Sequence, residues 1–277
     1  MNGYRYLGKN IYVGDDVFID PTAHLETSDG IFIGSRSHIG AYARVEGRHI
    51  LMGQECWLDQ YSMIGGGSCN SFESALYAGD WLHMGMYSQI NIAKKVTIGH
   101  ECGVGIGTRI FTHGAYLSVY DGFPVQWGDV TIGDRVWLPQ ATVLPGVSIG
   151  SNVVVAAGSL VNSSLPEGCL AGGTPARIIK ANEYPGTPDD GNLGRLRRSI
   201  EEIALYVHDC KLMILEDMSV IEIYIGDRDA TRFDIETRRI TGRVNPVSEA
   251  VKNQLRRNGV RFRYLAKDGV YVPWDKL

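Results

Sequence analysis

What this chain of 277 residues lacks narrows it before any motif is read. Its five cysteines, Cys56, Cys69, Cys102, Cys169 and Cys210, are odd in number, scattered, and form no C-x-x-C or Cys/His cluster. That excludes a disulfide framework and a zinc-finger site, and the spacing reads as reduced, mostly buried thiols. No apolar run approaches the roughly 18 residues of a membrane span, and the opening MNGYRYLGKN has no signal-like apolar stretch. No membrane insertion and a cytoplasmic location are therefore expected. The net charge of −4 gives no electrostatic footprint for nucleic acid. Asn-Gly and Asp-Gly pairs are scarce before residue 170, which argues against a sheet built from tight hairpins.

Glycine, by contrast, is abundant at 34 residues, and its placement is regular. Within residues 1–180, Ile-Gly pairs begin at 33, 39, 64, 98, 106, 132 and 149, with Val-Gly at 13 and 104. Apolar residues recur at every sixth position: Val13, Ile19, Leu25; Ile33, Ile39, Val45; Ile132, Leu138, Leu144; Ile149, Val155, Val161. A helix repeats at 3.6 residues and a strand at 2, so a period of six fits neither alone. It fits a β-solenoid, in which each short strand aims one aliphatic side chain inward and the small residue after it occupies the corner. The rhythm breaks at 69–77 and again at 114–129, and such insertions project as loops, often over a binding site. The second follows His113 and is aromatic, with Tyr116, Tyr120, Phe123 and Trp127.

The repeat stops after Lys180. Residues 181–190 are rich in Pro, Gly and Asp and read as a linker. Beyond it, Leu196, Ile200, Ile203, Val207, Cys210 and Ile214 recur at threes and fours, as on one face of a helix. Strand-like runs at 220–226 and 231–236 follow. A second helix starts at Asn245-Pro246 and stops before Gly259. Residues 260–266 and 270–274 suggest a final hairpin. Residues 191–277 carry 16 basic and 13 acidic residues, against 11 and 18 in residues 1–190. The expected organisation is thus a solenoid over 1–180, a linker, and a small α+β domain over 191–277 of unassigned role.

Within 130–180, the elements IGDRVW (132–137), LPGVSIG (144–150), VAAGSLV (155–161) and GGTPARIIK (172–180), with IFTHG at 110–114, resemble the hexapeptide-repeat acyltransferases, in particular their sugar O-acetyltransferase branch. The resemblance implies an all-β left-handed parallel β-helix and a homotrimer with active sites between subunits. It also implies acetyl-CoA as acyl donor with no metal. Under it, His113 is the base that deprotonates an acceptor hydroxyl as that hydroxyl attacks the thioester, a task suited to an imidazole near neutral pH. Trp137, Ala156, Ala157, Gly158, Thr174, Arg177 and Lys180 would hold the donor. His83, Tyr87, Asn91 and Tyr116 would contact the acceptor, a sugar or a nucleotide- or lipid-linked sugar of bacterial surface-polysaccharide assembly. Two departures touch the donor region: Leu138–Val143 is one residue short for the pattern, and Pro139 replaces a glycine.

Three other readings are weaker. A γ-class carbonic anhydrase shares the solenoid but needs a zinc-type ion on three histidines, and here no H-x-x-x-x-H pair exists. A non-catalytic scaffold would leave the His113 context unexplained. Transfer to the amine of a nucleotide-linked amino sugar keeps fold and donor and stays open. His100 and Cys102 read as structural.

Overall fold

The computed structural model describes residues 5–206, 211–215, 219–224, 230–274 and 276. The chain divides into two compact units, Met1–Gly186 and Thr187–Leu277.

The first unit is a parallel β-helix. Its strands stack coil on coil into three faces. The first face runs through Ile11–Val13, Ala75–Ala78, Val96–Ile98, Val130–Ile132 and Ser148–Ile149. The second runs from Phe18–Ile19 through His38–Ile39, Trp57–Leu58, His83–Met84, Gly103–Val104, Trp137–Leu138 and Val154–Val155 to Leu170–Gly173. The third runs through Met63–Ile64, Gln89–Ile90, Arg109–Ile110, Thr142–Val143 and Leu160–Val161. Two longer strands, His24–Ile33 and Arg44–Met52, pass from the third face into the first without a break.

The six-residue rhythm becomes columns of aliphatic side chains. Ile39, Leu58, Met84, Val104, Leu138 and Val155 line up in register inside the second face, all within 1% of complete burial. Each such side chain contributes about 1.5–3 kcal/mol of transfer free energy, which is why a two-residue strand suffices per face. One expected member of the pattern moves. In the coil from Leu138 the inward residue is Val143, with no exposure, and not Leu144. The missing residue can be located. In the corner between second and third faces, Tyr42, Tyr61, Tyr87, Gly107 and Gly158 adopt left-handed φ of 56°, 58°, 58°, 66° and 75°, whereas no residue of 138–143 does. The short coil has dropped its left-handed corner residue.

The first insertion is also shorter than expected. Ala75–Ala78 is already a strand with Leu76 in the core, so the rhythm resumes at Ala75. The second insertion is a hairpin: His113–Gly114 pairs antiparallel with Gln126–Trp127, and a 3₁₀ turn at Val119–Asp121 lies between them.

Cys56, Cys69, Cys102 and Cys169 are free and buried, and Cys210 lies outside the described residues. Desolvation pushes the thiols of Cys56 and Cys102 up to about 12. Their thiolate fraction at pH 8 is then about one in ten thousand. Iodoacetamide at that pH should leave both unmodified in native protein and alkylate them after denaturation. Rapid native labelling, read by mass spectrometry, would contradict their burial.

The second unit, taken by itself, contains helix α1 (Asp190–Tyr206), helix α2 (Pro246–Arg257) and antiparallel strands in the order Lys211–Leu215, Val220–Tyr224, Thr231–Asp234, Arg239–Arg243, Val270–Pro273 and Tyr264–Lys267. The expected helical face does not extend to Ile214, which is in a strand opposite Ile221; Val207 and Cys210 lie outside the described residues. Asn245 caps α2 in a reciprocal capping box with Ser248.

Candidate functional site

His113 sits where the chain leaves the third face. Its position is set by Asn91, one coil earlier, whose side chain is 2% exposed. The Asn91 amide donates from Nδ2 to the carbonyls of Gly67 (3.0 Å) and Gly65 (3.3 Å). Carbonyls only accept, so this fixes which end of the amide is oxygen. Oδ1 then accepts from the Thr112 hydroxyl at 2.8 Å and from His113 Nδ1 at 2.8 Å. An oxygen that can only accept forces the ring proton onto Nδ1. In the neutral ring this tautomer puts the lone pair on His113 Nε2, the form a general base needs. Trp127, the register partner of His113, stacks on the ring with centroids 4.8 Å apart and planes 22° from parallel. A side chain at Gly67 would begin 3.5 Å from Nε2, so glycine there keeps the approach open.

Asn91 had been expected to contact the acceptor. The structure instead buries it, with its amide committed to the imidazole and to the neighbouring coil, where it can orient the His113 ring. Removing it should misdirect Nε2. We expect Asn91→Ala to lower kcat about 10²-fold, with KM little changed, in protein whose thermal transition confirms folding. A KM effect with kcat intact would instead return Asn91 to the acceptor site.

The other expected residues are distributed around the helix. His83 and Trp137 both lie outward on the second face. Between them in the stack is Gly103, and the Trp137 ring occupies the space where a Gly103 side chain would stand, 2.3 Å from its nearest ring atom. His83 Nε2 lies 3.3 Å from Asp59 Oδ2. His100 accepts from the Asp80 amide at 2.9 Å and serves the first corner of the coil.

Tyr87 occupies the corner between second and third faces, stacked on Tyr61, which stacks on Tyr42. Past Tyr87 the corner falls away. A side chain at Gly107 or Gly158 would meet nothing within 4 Å, and the coil between them lacks its corner residue. Ala156 and Ala157 lead into Gly158 at this notch, and the Thr174 hydroxyl donates to the Gly158 carbonyl at 3.2 Å. Arg177 lies on Ala176–Lys180, the strand that turns back on Leu170–Gly173. Lys180 pairs with Glu183 at 2.9 Å, and that bond raises its pKa. Tyr116 stands at the exposed end of the inserted hairpin, 98% accessible.

In order around one coil, then, come the second face with Trp137 and His83, the notch with Tyr87 and Gly158, the third face, and the corner with His113. Gly107 and Thr112 are separated by about 16 Å of strand at ~3.3 Å per residue. The structure does not bring Trp137 or His83 to His113 within one chain. No group of three or more His, Cys, Asp or Glu suited to a metal is found among the described residues. None of the described helices is long and apolar enough to cross a membrane.

The family model described as bacterial transferase hexapeptide (six repeats) matches residues 129–163. Galactoside O-acetyltransferase of Escherichia coli K12 is 44% identical over 115 residues, 37% of this chain and 55% of that protein. Chloramphenicol acetyltransferase of Morganella morganii is 30% identical over 108 residues, 31% of this chain and 51% of that one. The chain spans about half the length of the curated relatives it matches. Among solved structures, a hexapeptide-repeat acetyltransferase of Vibrio cholerae complexed with acetyl coenzyme A is 26% identical, with a TM-score of 0.34, covering 53% of this chain and 71% of that one.

Proposed function

We propose that this protein is an acetyl-CoA-dependent O-acetyltransferase acting on a hydroxyl of a sugar, in the assembly of bacterial surface polysaccharide. The observation that carries the proposal is the 2.8 Å hydrogen bond between His113 Nδ1 and the buried Asn91 Oδ1. A buried asparagine holds Nδ1–H, a tryptophan fixes the ring, and Nε2 is presented as a base beside an aromatic hairpin. As the acceptor oxygen bonds to the thioester carbonyl carbon, its proton passes to Nε2. The carbon–sulfur bond then breaks, and the proton goes on to the departing thiolate. The similarity to a galactoside O-acetyltransferase supports a sugar hydroxyl as acceptor.

The donor is assigned to the notch at Gly107 and Gly158, with Ala156 and Ala157 as its wall, Thr174 at its end, and Arg177 and Lys180 toward the phosphates. The notch and His113 flank opposite edges of the third face, so donor and base reach each other readily if two copies share the site. We accordingly assign the active assembly as a homotrimer with intersubunit sites. The chemistry is assigned to residues 1–180, and 191–277 to a separate α+β domain joined by 181–190. An N-acetyltransferase on a nucleotide-linked amino sugar remains the second reading, since imidazole serves an ammonium acceptor equally well.

Thiol release from acetyl-CoA across a panel of galactosides, glucosides and matched amino sugars tests the proposal. Acetyl ester formation, labile to mild base, is expected. A base-stable amide selects the second reading, and no acceptor-dependent release by any sugar would sink both.

A further inference from the structure

The second unit has a cavity that the transferase reading does not use. It measures about 920 Å³ and is bounded by the start of α1, the Ile235–Glu236 segment and the end of α2. That is at the upper end of the range for small-molecule sites, about 300–1,000 Å³. Its floor is apolar, with Leu196, Ile235 and Val260. Its rim is cationic: Arg195 and Arg197 flank Leu196 on α1, and Arg257 comes from the last turn of α2, with Glu236 opposite.

Some cations of the unit are engaged: Arg232 with Glu222 at 2.7 Å, Arg238 with the Arg261 carbonyl at 2.7 Å, Lys252 with Glu249 at 2.8 Å. Arg195, Arg197 and Arg257 make no ion pair or side-chain hydrogen bond with the described residues, yet all three line one concavity. Three guanidinium groups that no carboxylate of the described residues neutralises line this cavity, and a ligand anion there would be attracted to them. With Glu236 counted, the rim carries two positive charges in excess, which matches a dianion. The forked donors of arginine suit phosphate oxygens. The cavity is far larger than a bare phosphate, and its floor offers apolar contact to an organic body.

We propose that residues 187–277 bind an organic phosphate ester in this cavity, with the phosphate held by Arg195, Arg197 and Arg257 and the organic portion resting on Leu196, Ile235 and Val260. The site is independent of the acetyl-transfer assignment. A soluble nucleotide and a lipid headgroup both offer this chemistry.

The test uses the full chain and three probes: uridine diphosphate, inorganic phosphate, and phosphatidylcholine vesicles with and without phosphatidic acid. Calorimetric titration should show saturable binding of uridine diphosphate, with inorganic phosphate at least about tenfold weaker. Arg195→Gln and Arg257→Gln, both at exposed positions, should each weaken binding about tenfold, the worth of one charge-assisted hydrogen bond. If uridine diphosphate does not bind but phosphatidic acid vesicles carry down the chain with the same arginine dependence, the site stands and its ligand is lipid-borne. The proposal is overturned if neither probe binds, if inorganic phosphate binds as tightly as uridine diphosphate, or if both glutamine variants bind normally. His113→Ala protein should bind undiminished, so failure here and failure of the transferase reading are separable.

Discussion

His113→Ala is expected to lower acetyl transfer by about 10²–10⁴ while leaving the thermal transition and the affinity for coenzyme A unchanged. The magnitude follows from what the side chain does and does not do. Its Nε2 lone pair would accept the proton of the acceptor hydroxyl at the moment the hydroxyl becomes nucleophilic. Without it, water must take that proton, and a neutral alcohol attacks a thioester slowly. The side chain is half-buried at the edge of the helix, outside the aliphatic columns, so its loss removes little packing. His113→Gln is the sharper variant. A glutamine amide can replace the hydrogen bond to Asn91 Oδ1 but offers no basic nitrogen, so it should be as inactive as alanine. If either variant retains more than about a tenth of wild-type turnover, His113 is not the base, and the proposed mechanism loses its central group.

The glycine rhythm was readable in the sequence because it reflects spacing along one coil. What acts between coils was not. Val143 replaces Leu144 in the core because a corner residue is missing, and the loss shows only when 138–143 is laid against Val104–Ile110. Asn91 carried a polar side chain in a repeat and invited a substrate role. Its actual role depends on two carbonyls from the preceding coil and an imidazole from the next. Nothing in a linear period distinguishes an outward asparagine from one turned to its neighbours. Trp127 was legible as part of an aromatic insertion. Its pairing with His113 needed the hairpin register. In the second unit, apolar spacing at threes and fours ran on from α1 into the strand Lys211–Leu215. A run such as KLMIL carries no period of its own, and only its antiparallel partner Val220–Tyr224 makes it a strand.

The last prediction separates two kinds of glycine that look alike in the Ile-Gly rhythm. Gly99, after Ile98, faces the next coil at close range: a Cβ there would stand 2.3 Å from Asp134 Oδ1 and 2.7 Å from both the Asp134 nitrogen and the Gly133 carbonyl carbon. Gly34 has the same problem against the backbone of Gly53, at 2.3 Å. Backbone at that distance cannot move without unpairing the stack, including the bond from the Gly99 amide to the Ile132 carbonyl at 2.9 Å. Gly99→Val should therefore cost about 3 kcal/mol or more, the upper end of overpacking penalties. At roughly 2–4 °C per kcal/mol, the transition should fall by about 6–12 °C. Gly107, after Ile106, is the opposite case. Its φ of 66° is left-handed and the space around it is open. Asparagine tolerates that conformation, so Gly107→Asn should cost less than about 1 kcal/mol. Yet its side chain would stand in the notch beside Tyr87, where the donor is assigned, and should weaken coenzyme A binding about tenfold or more. If Gly99→Val melts like wild type, the coils are not packed as described. If Gly107→Asn binds coenzyme A normally, the donor lies elsewhere, and the corner notch is only a gap left by a short coil.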